Sequence, residues 1–369
     1  MKSEGVRLGN VVKYSGSIVA FLIGSGFASG QEVMQFFTSY GVLCSGLGGL
    51  ISLALFLWFT TITIQDAQIL MLEDTNAIFE HYCGNIIGTI FKWITPVFLF
   101  MVYVIMISGA GALLFEFYGI SAIIGRAVMS VLSLITVLLG LNRLVSVVGR
   151  IGPIIILFII FIGLAAIITN FDGIRTADAA LSTLSVTKAT KYWWFSGLTY
   201  ASFCAVTILP FLAGVGRTNQ NRREVTLSGF LGCGAFILTA MAVSYGMMAY
   251  IPLIYDKNVP AVFVANLLFP GSGIVFSIIM YAGIYTTAVP MLWSSCNKIS
   301  SDENGLKFRL SVIILGLIAF FGGHLPFATL VNIVYPYMGY LGIFLFLGML
   351  ITQFRGKRAF TRQSGAHPQ

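Results

Sequence analysis

Residues 24–37 read GSGFASGQEVMQFF, and two side chains in that run, Gln31 and Glu32, could do chemistry in a strongly apolar setting. No charged residue stands between Lys13 and Glu32, and nine residues remain to Gly41. At 1.5 Å per residue, a helix would leave Glu32 about 13 Å short of the nearer surface. A carboxylate at that depth costs about 2.5–3.5 kcal/mol even on lenient insertion scales. Glu32 must therefore face the protein interior, paired or protonated, and is a candidate proton or coupling site. Just ahead of it, Gly24, Gly26 and Gly30 fall within seven residues. Small residues are common where transmembrane helices pack closely. Three glycines, however, each cost about 1 kcal/mol relative to alanine, and Gln31 and Glu32 follow at once. A break in the helix is expected, and unwound backbone survives in a bilayer only where it lines a polar cavity.

No other constellation of reactive residues stands out. The cysteines (Cys44, Cys83, Cys204, Cys233, Cys296) lie singly and read as small buried hydrophobes. The histidines (His81, His324, His367) are scattered. Neither a metal-ligand cluster nor a nucleophile with its base is visible, so an enzyme is not expected, nor an organic cofactor.

These side chains need elements that can hold them in a membrane. Of 369 residues, 57% are hydrophobic and 9% charged, with a mean hydropathy of +0.92. Soluble domains carry about 25% charged residues, so the composition fits an all-α polytopic membrane protein. A spanning helix needs about 20 apolar residues. Ten segments qualify, at 9–40, 42–66, 92–117, 120–140, 145–169, 193–216, 225–250, 271–296, 308–323 and 327–353. The connections 67–91 and 170–192 are long and polar, and 251–270 is expected to hold a short surface helix. With the N-terminus inside, sixteen of the 21 Lys and Arg fall on the inner side, leaving Arg126, Arg175, Lys188, Lys191 and Lys257 outside. That asymmetry places both termini in the cytoplasm of a plasma-membrane protein. The formal charge of +8 then reads as inner-leaflet attraction, including a basic tail at 354–369, and not as nucleic-acid binding. Glu116 and Arg126 flank a turn at Tyr118–Gly119 and are expected to pair; Asp66 should reach water.

The chain is read as one transmembrane domain, 1–369, made of two halves. Residues 9–169 and 193–353 each hold five spans, and five is odd, so the second half enters from the opposite side. That is an inverted-topology repeat. The first helix of each half carries an irregularity: GFASG at 26–30 and TYASF at 199–203, with Pro210 beyond. Helices one and six are both expected to be broken.

With these features the chain resembles the LeuT-fold transporters of the amino acid–polyamine–organocation superfamily. GSGFASGQE looks most like the uncharacterised bacterial YkvI family of membrane proteins. The resemblance implies a substrate site at mid-membrane among helices one, three, six and eight, and a sodium site between helices one and eight. Its ligands would be the Gly24, Phe27 and Gly283 carbonyls with the hydroxyls of Thr286 and Thr287, which match an adjacent hydroxyl pair of the family. Taken alone, a Thr-Thr pair reads as helix–helix hydrogen bonding. Gln31 and Met34 stand where some members place an asparagine and an arginine, and Glu32 has no counterpart.

The expected function is secondary active transport by alternating access, with sodium-coupled symport of a small amino acid or related zwitterion. Amides freed at Ala28, Ser29 and Gly30 beside Gly26 would receive a carboxylate. Tyr200, Ser202, Phe203 and Tyr103 would line the walls, though each aromatic taken singly reads as packing rather than ligand binding. No deep basic residue favours a strongly anionic solute. The alternatives are proton coupling through Glu32 and a non-transporting ligand sensor of the same fold.

Overall fold

The computed structural model describes residues 6–72, 74–139, 145–218 and 221–364. Among these residues there is no strand. The first span comes in pieces: α1 (Leu8–Leu22), α2 (Ser25–Ser29) and α3 (Gln31–Phe36), ending in a 3-10 turn at Thr38–Tyr40. Then follow α4 (Val42–Leu70), α5 (Ile78–Tyr118), α6 (Ala122–Leu138), α7 (Val145–Thr169) and α8 (Phe171–Thr183). The second half holds α9 (Trp193–Thr218), α10 (Arg222–Met248), α11 (Ile251–Ile254), α12 (Pro260–Leu268), α13 (Ser272–Ile299), α14 (Leu306–Gly322) and α15 (Phe327–Ser364).

Each of the ten expected segments falls on helix. Among the described residues, six helices are long and apolar enough to cross a membrane: α4, α5, α9, α10, α13 and α15. Residues 157–169 of α7 and the α8 helix, bent by 89°, would add a seventh. The first span is divided among three shorter helices, and α6 and α14 have 17 residues each. The chain is thus a multi-pass membrane protein.

Several expectations need correction. Helix six is not broken: α9 runs from Trp193 through TYASF and Pro210 to Thr218. TYASF contains no glycine, and its Thr and Ser hydroxyls turn back on the helix, Thr199 to the Phe195 carbonyl (2.6 Å) and Ser202 to that of Leu198 (2.8 Å). A tight seam also clamps α9 between its neighbours. A Cβ on Gly339 or Gly342 of α15 would collide with Thr199 or Ser202, and one on Gly197 would collide with the Gly48 carbonyl of α4. Such close backbone approach is what small residues permit in a bilayer.

The connection at 67–91 is largely helical, because α4 continues to Leu70 and α5 starts at Ile78. Gly84, at φ 72, kinks α5, a conformation with little cost only for glycine. The segment 251–270 is not a surface helix: Pro260, Ala261, Val262, Val264 and Ala265 of α12 are buried. Glu116 and Arg126 do not pair. Glu116 accepts from the Asn258 and Val259 amides (2.9 and 3.2 Å) ahead of α12, while Arg126 Nη1 donates to the Gly323 carbonyl at 2.9 Å. The two side chains serve different neighbours on either side of the turn. Asp66 is partly exposed, as expected, and accepts from the Tyr82 hydroxyl at 2.8 Å. The 354–369 tail continues α15 through Ser364; residues 365–369, with Lys2 and Arg143, lie outside the described residues.

Candidate functional site

The glycine cluster breaks the first span twice. After Leu22 the backbone is extended at Ile23 (φ −82, ψ 99) and Gly24 (φ −104, ψ −171). It winds once through α2 and then turns sharply at Gly30, whose φ of 83 disfavours any side chain. The first break releases the Ile23 carbonyl from α1. Opposite it stands α13, where Thr287 Oγ1 donates to that carbonyl at 3.2 Å. Thr286 and Thr287 hydroxyls also reach the Gly283 carbonyl, at 2.8 and 3.1 Å. Two hydroxyls and two carbonyls therefore gather between the first span and α13, none of them charged.

This grouping differs from the expected sodium ligands in one respect. The Gly24 carbonyl accepts from the Ala28 amide (2.9 Å) and the Phe27 carbonyl from the Gly30 amide (3.0 Å). Both carbonyls close the α2 turn, and the carbonyl that bonds α13 directly is that of Ile23, just ahead of them. Sequence reasoning missed Ile23 because a carbonyl's freedom depends on where the helix stops, which a branched apolar residue does not announce.

The same turn takes up two of the three amides expected to receive a carboxylate. The Ala28 and Gly30 amides are bonded within the turn, so they are not free to meet a ligand. The Ser29 hydroxyl caps the second break, donating to the Gly26 carbonyl (3.0 Å) and accepting from the Gln31 amide (3.1 Å).

Glu32 is the carboxyl group at the centre, with 2% of its surface exposed. Its Oε1 accepts from the Tyr200 hydroxyl at 2.9 Å. Among the described residues no cation pairs with it. Gly26 leaves the room: a Cβ there would lie 2.8 Å from Glu32 Oε2 and 2.9 Å from the Tyr335 ring. Phe203 stacks on Tyr335 with centroids 4.5 Å apart and planes 15° apart. Glu32, Phe203, Tyr335, Gly24 and Thr287 line one cavity of about 40 Å³. Cys204, Met106 and Met291 complete much of its wall.

Of the predicted wall residues, Tyr200 and Phe203 arrive at the centre and two do not. The Tyr103 hydroxyl bonds Ser133 of α6 at 2.7 Å, and Ser202 packs against Gly342 of α15. On a helix the choice of face settles this, and both residues point at neighbours away from the cavity. Tyr335 was missed. It lies in the middle of an otherwise ordinary apolar span, and only the packing of α15 against α9 brings it in.

The cavity shares Phe21, Leu99 and Thr207 with a vestibule of about 420 Å³ that also touches Asn76, Lys92, Asn297 and Lys298. Asn76 lies in the 3-10 turn Thr75–Ala77 between α4 and α5, Lys92 on α5, and Asn297 and Lys298 at the end of α13, on the side where α1 starts. Toward the other side the path is tied shut. Gln35 Nε2 donates to the Ala328 carbonyl (2.9 Å) and its Oε1 accepts from Asn332 (3.2 Å). The Ser196 hydroxyl donates to the Phe36 carbonyl at 2.7 Å, and Phe37 meets the Tyr200 ring edge-on at 4.8 Å.

No protein-family model matches the chain. It is similar to two proteins of Bacillus subtilis (strain 168). The uncharacterised membrane protein YkvI is 23% identical over 345 residues, 90% of this chain and 93% of that one. The uncharacterised protein YyaD is 20% identical, covering 90% and 94%. Among solved structures, the manganese transporter of Eremococcus coleocola superposes with a TM-score of 0.56 at 15% identity, over 95% of this chain and 79% of that one. MhsT in complex with L-phenylalanine gives 0.53 at 16% identity, over 95% and 89%. The doubly broken first span, packed against α13 and α9 around a central cavity, is accordingly set in the LeuT transporter fold, in a chain similar over most of its length to YkvI.

Proposed function

We propose that the chain is a secondary active transporter that carries a small amino acid or related zwitterion by alternating access, coupled to sodium. Ten crossings in two inverted halves, with both termini in the cytoplasm of the plasma membrane, would give the frame. The observation that carries this reading is the meeting of the Ile23 break with Thr286 and Thr287 at the rim of the Glu32 cavity. Uncharged oxygens suit a hard monovalent cation, and Gly283, Thr286, Thr287 and Ile23, with Gly24 and Phe27 beside them, would hold it. The vestibule supports a state open on one side and tied on the other. One sodium would suffice: a potential of 100 mV supplies about 2.3 kcal/mol per charge, and a tenfold gradient adds about 1.4 kcal/mol.

The manganese cargo of one structural neighbour is not carried over. Glu32 is the only carboxylate among the described residues lining the cavity, whereas manganese favours several carboxylate, carbonyl and water oxygens. A second reading, proton coupling, rests on Glu32 itself, buried on a tyrosine hydroxyl with no cation beside it among the described residues. Proteoliposome uptake of a labelled amino-acid mixture, under an imposed sodium gradient or an imposed pH gradient, tests both. Accumulation under neither gradient removes the transporter reading.

A further inference from the structure

We infer that Glu32 is the docking group for an ammonium on the transported solute, and that the solute's carboxylate is dispensable for binding; this rests on the transporter reading above. Three observations converge on it. Glu32 Oε1 is taken by Tyr200, while no hydrogen bond reaches Oε2 among the described residues, and Glu32 lines the cavity. The remaining wall supplies the Phe203–Tyr335 stack, whose electron-rich faces attract an ammonium once water is excluded. No Lys or Arg lines the cavity, and the Ala28 and Gly30 amides that would have received a carboxylate are spent on the α2 turn. The cavity can thus neutralise a positive end of a ligand and holds no cation for a negative one; in the vestibule, Lys92 is paired with Glu80 and Lys298 lies over the Trp93 ring.

The size agrees. A cavity of about 40 Å³ holds an ammonium head or a water molecule, not a whole amino acid. The rest of the solute would extend toward the vestibule past Phe21, Leu99 and Thr207, which line both spaces. Amines without a carboxylate become expected ligands alongside amino acids. A sodium held by neutral oxygens near Thr287 would lie at the rim of the same cavity.

The experiment uses purified full-length protein and two sets of analogues: alanine, ethylammonium and propionate, then leucine, isopentylammonium and 4-methylpentanoate. Binding is followed by thermal shift and tryptophan fluorescence. In at least one set the ammonium should bind as well as or better than the amino acid, and neither carboxylate should bind. In Glu32→Gln, ammonium binding should weaken by about thirtyfold or more, the lower end for removing one partner of a buried charge pair. Tyr200→Phe keeps the carboxylate and should stay within about tenfold of wild type, the size of one hydrogen bond. Carboxylates binding as well as ammoniums, or no ammonium binding at all, overturns the assignment, and this ranking in the wild type needs no variant to fold. A folded Glu32→Gln protein that binds ammonium normally but no longer accumulates solute under a pH gradient overturns it in favour of a proton carrier. Uptake distinguishes the two levels: binding without uptake removes the transporter reading alone, and uptake restricted to solutes lacking an amine removes the docking role alone.

Discussion

The Thr287 hydroxyl and the Ile23 carbonyl, 264 residues apart in sequence and 3.2 Å apart in space, tie α13 to the first break of the opening span. Sodium at this point would take over both oxygens. Sodium chloride should therefore raise the melting temperature of the wild type more than potassium chloride does. The Thr286→Ala, Thr287→Ala double variant should lose that difference, and its uptake should lose sodium stimulation. Ligand affinity should fall with it, since coupling between two sites is reciprocal. A double variant that keeps full sodium stimulation would make the hydroxyl pair a helix contact only.

Glycine positions in the chain should separate sharply by backbone conformation. At Gly30, with φ at 83, a Cβ would also lie 2.8 Å from the Met247 sulfur and 3.2 Å from the Ala261 side chain. Gly30→Ala should cost at least about 1 kcal/mol, the scale of left-handed strain in a residue with a side chain. Gly234 stands in mid-helix with nothing within 4 Å of an added Cβ, and Gly234→Ala should stabilise by about 0.5–1 kcal/mol. Comparing chemical-denaturation midpoints of the two variants checks the sign of each.

Gly26 tests the cavity and not the turn. Gly26→Leu would fill the space between Glu32 and Tyr335, so ligand binding should disappear while circular dichroism and monodispersity stay as in the wild type. Normal ligand affinity in that variant would mean the cavity is not where the solute sits.

Glu116 and Arg126 should be energetically independent. Glu116 caps the chain ahead of α12 and Arg126 holds the Gly323 carbonyl, so Glu116→Gln and Arg126→Met should each destabilise, by about 1–3 kcal/mol for a buried partner left unsatisfied. The double variant should equal the sum within about 0.5 kcal/mol. A larger coupling energy in the cycle would restore the ion pair expected from the turn.

The closed side and the open side should differ in access. In a background lacking the native cysteines, Asn76→Cys and Asn297→Cys in the vestibule should react with an impermeant thiol reagent in inside-out vesicles and not in intact cells. Asn332→Ala removes a tie to Gln35 and should raise labelling of a cysteine at Ser196 from outside. Labelling of the vestibule cysteines in intact cells would reverse the orientation.

Sequence by itself determined the solvent this chain lives in and the place where its backbone fails. Too few charges to coat a globule, and apolar runs of spanning length, require a bundle of membrane helices. Gly24, Gly26 and Gly30 ahead of Gln31 and Glu32 mark a break because local backbone cost and burial cost coincide there. Both are properties of neighbouring residues, so they can be read in order along the chain. Tertiary structure decided everything that depends on which helical face meets which neighbour. TYASF resembles the first break in composition, yet α9 stays whole because it contains no glycine and is clamped between α4 and α15. Tyr335 enters the cavity and Tyr103 leaves it for Ser133, although both are tyrosines in apolar spans. Thr287 bonds the Ile23 carbonyl because α1 ends there and leaves it free, and contacts made across hundreds of residues fix that point.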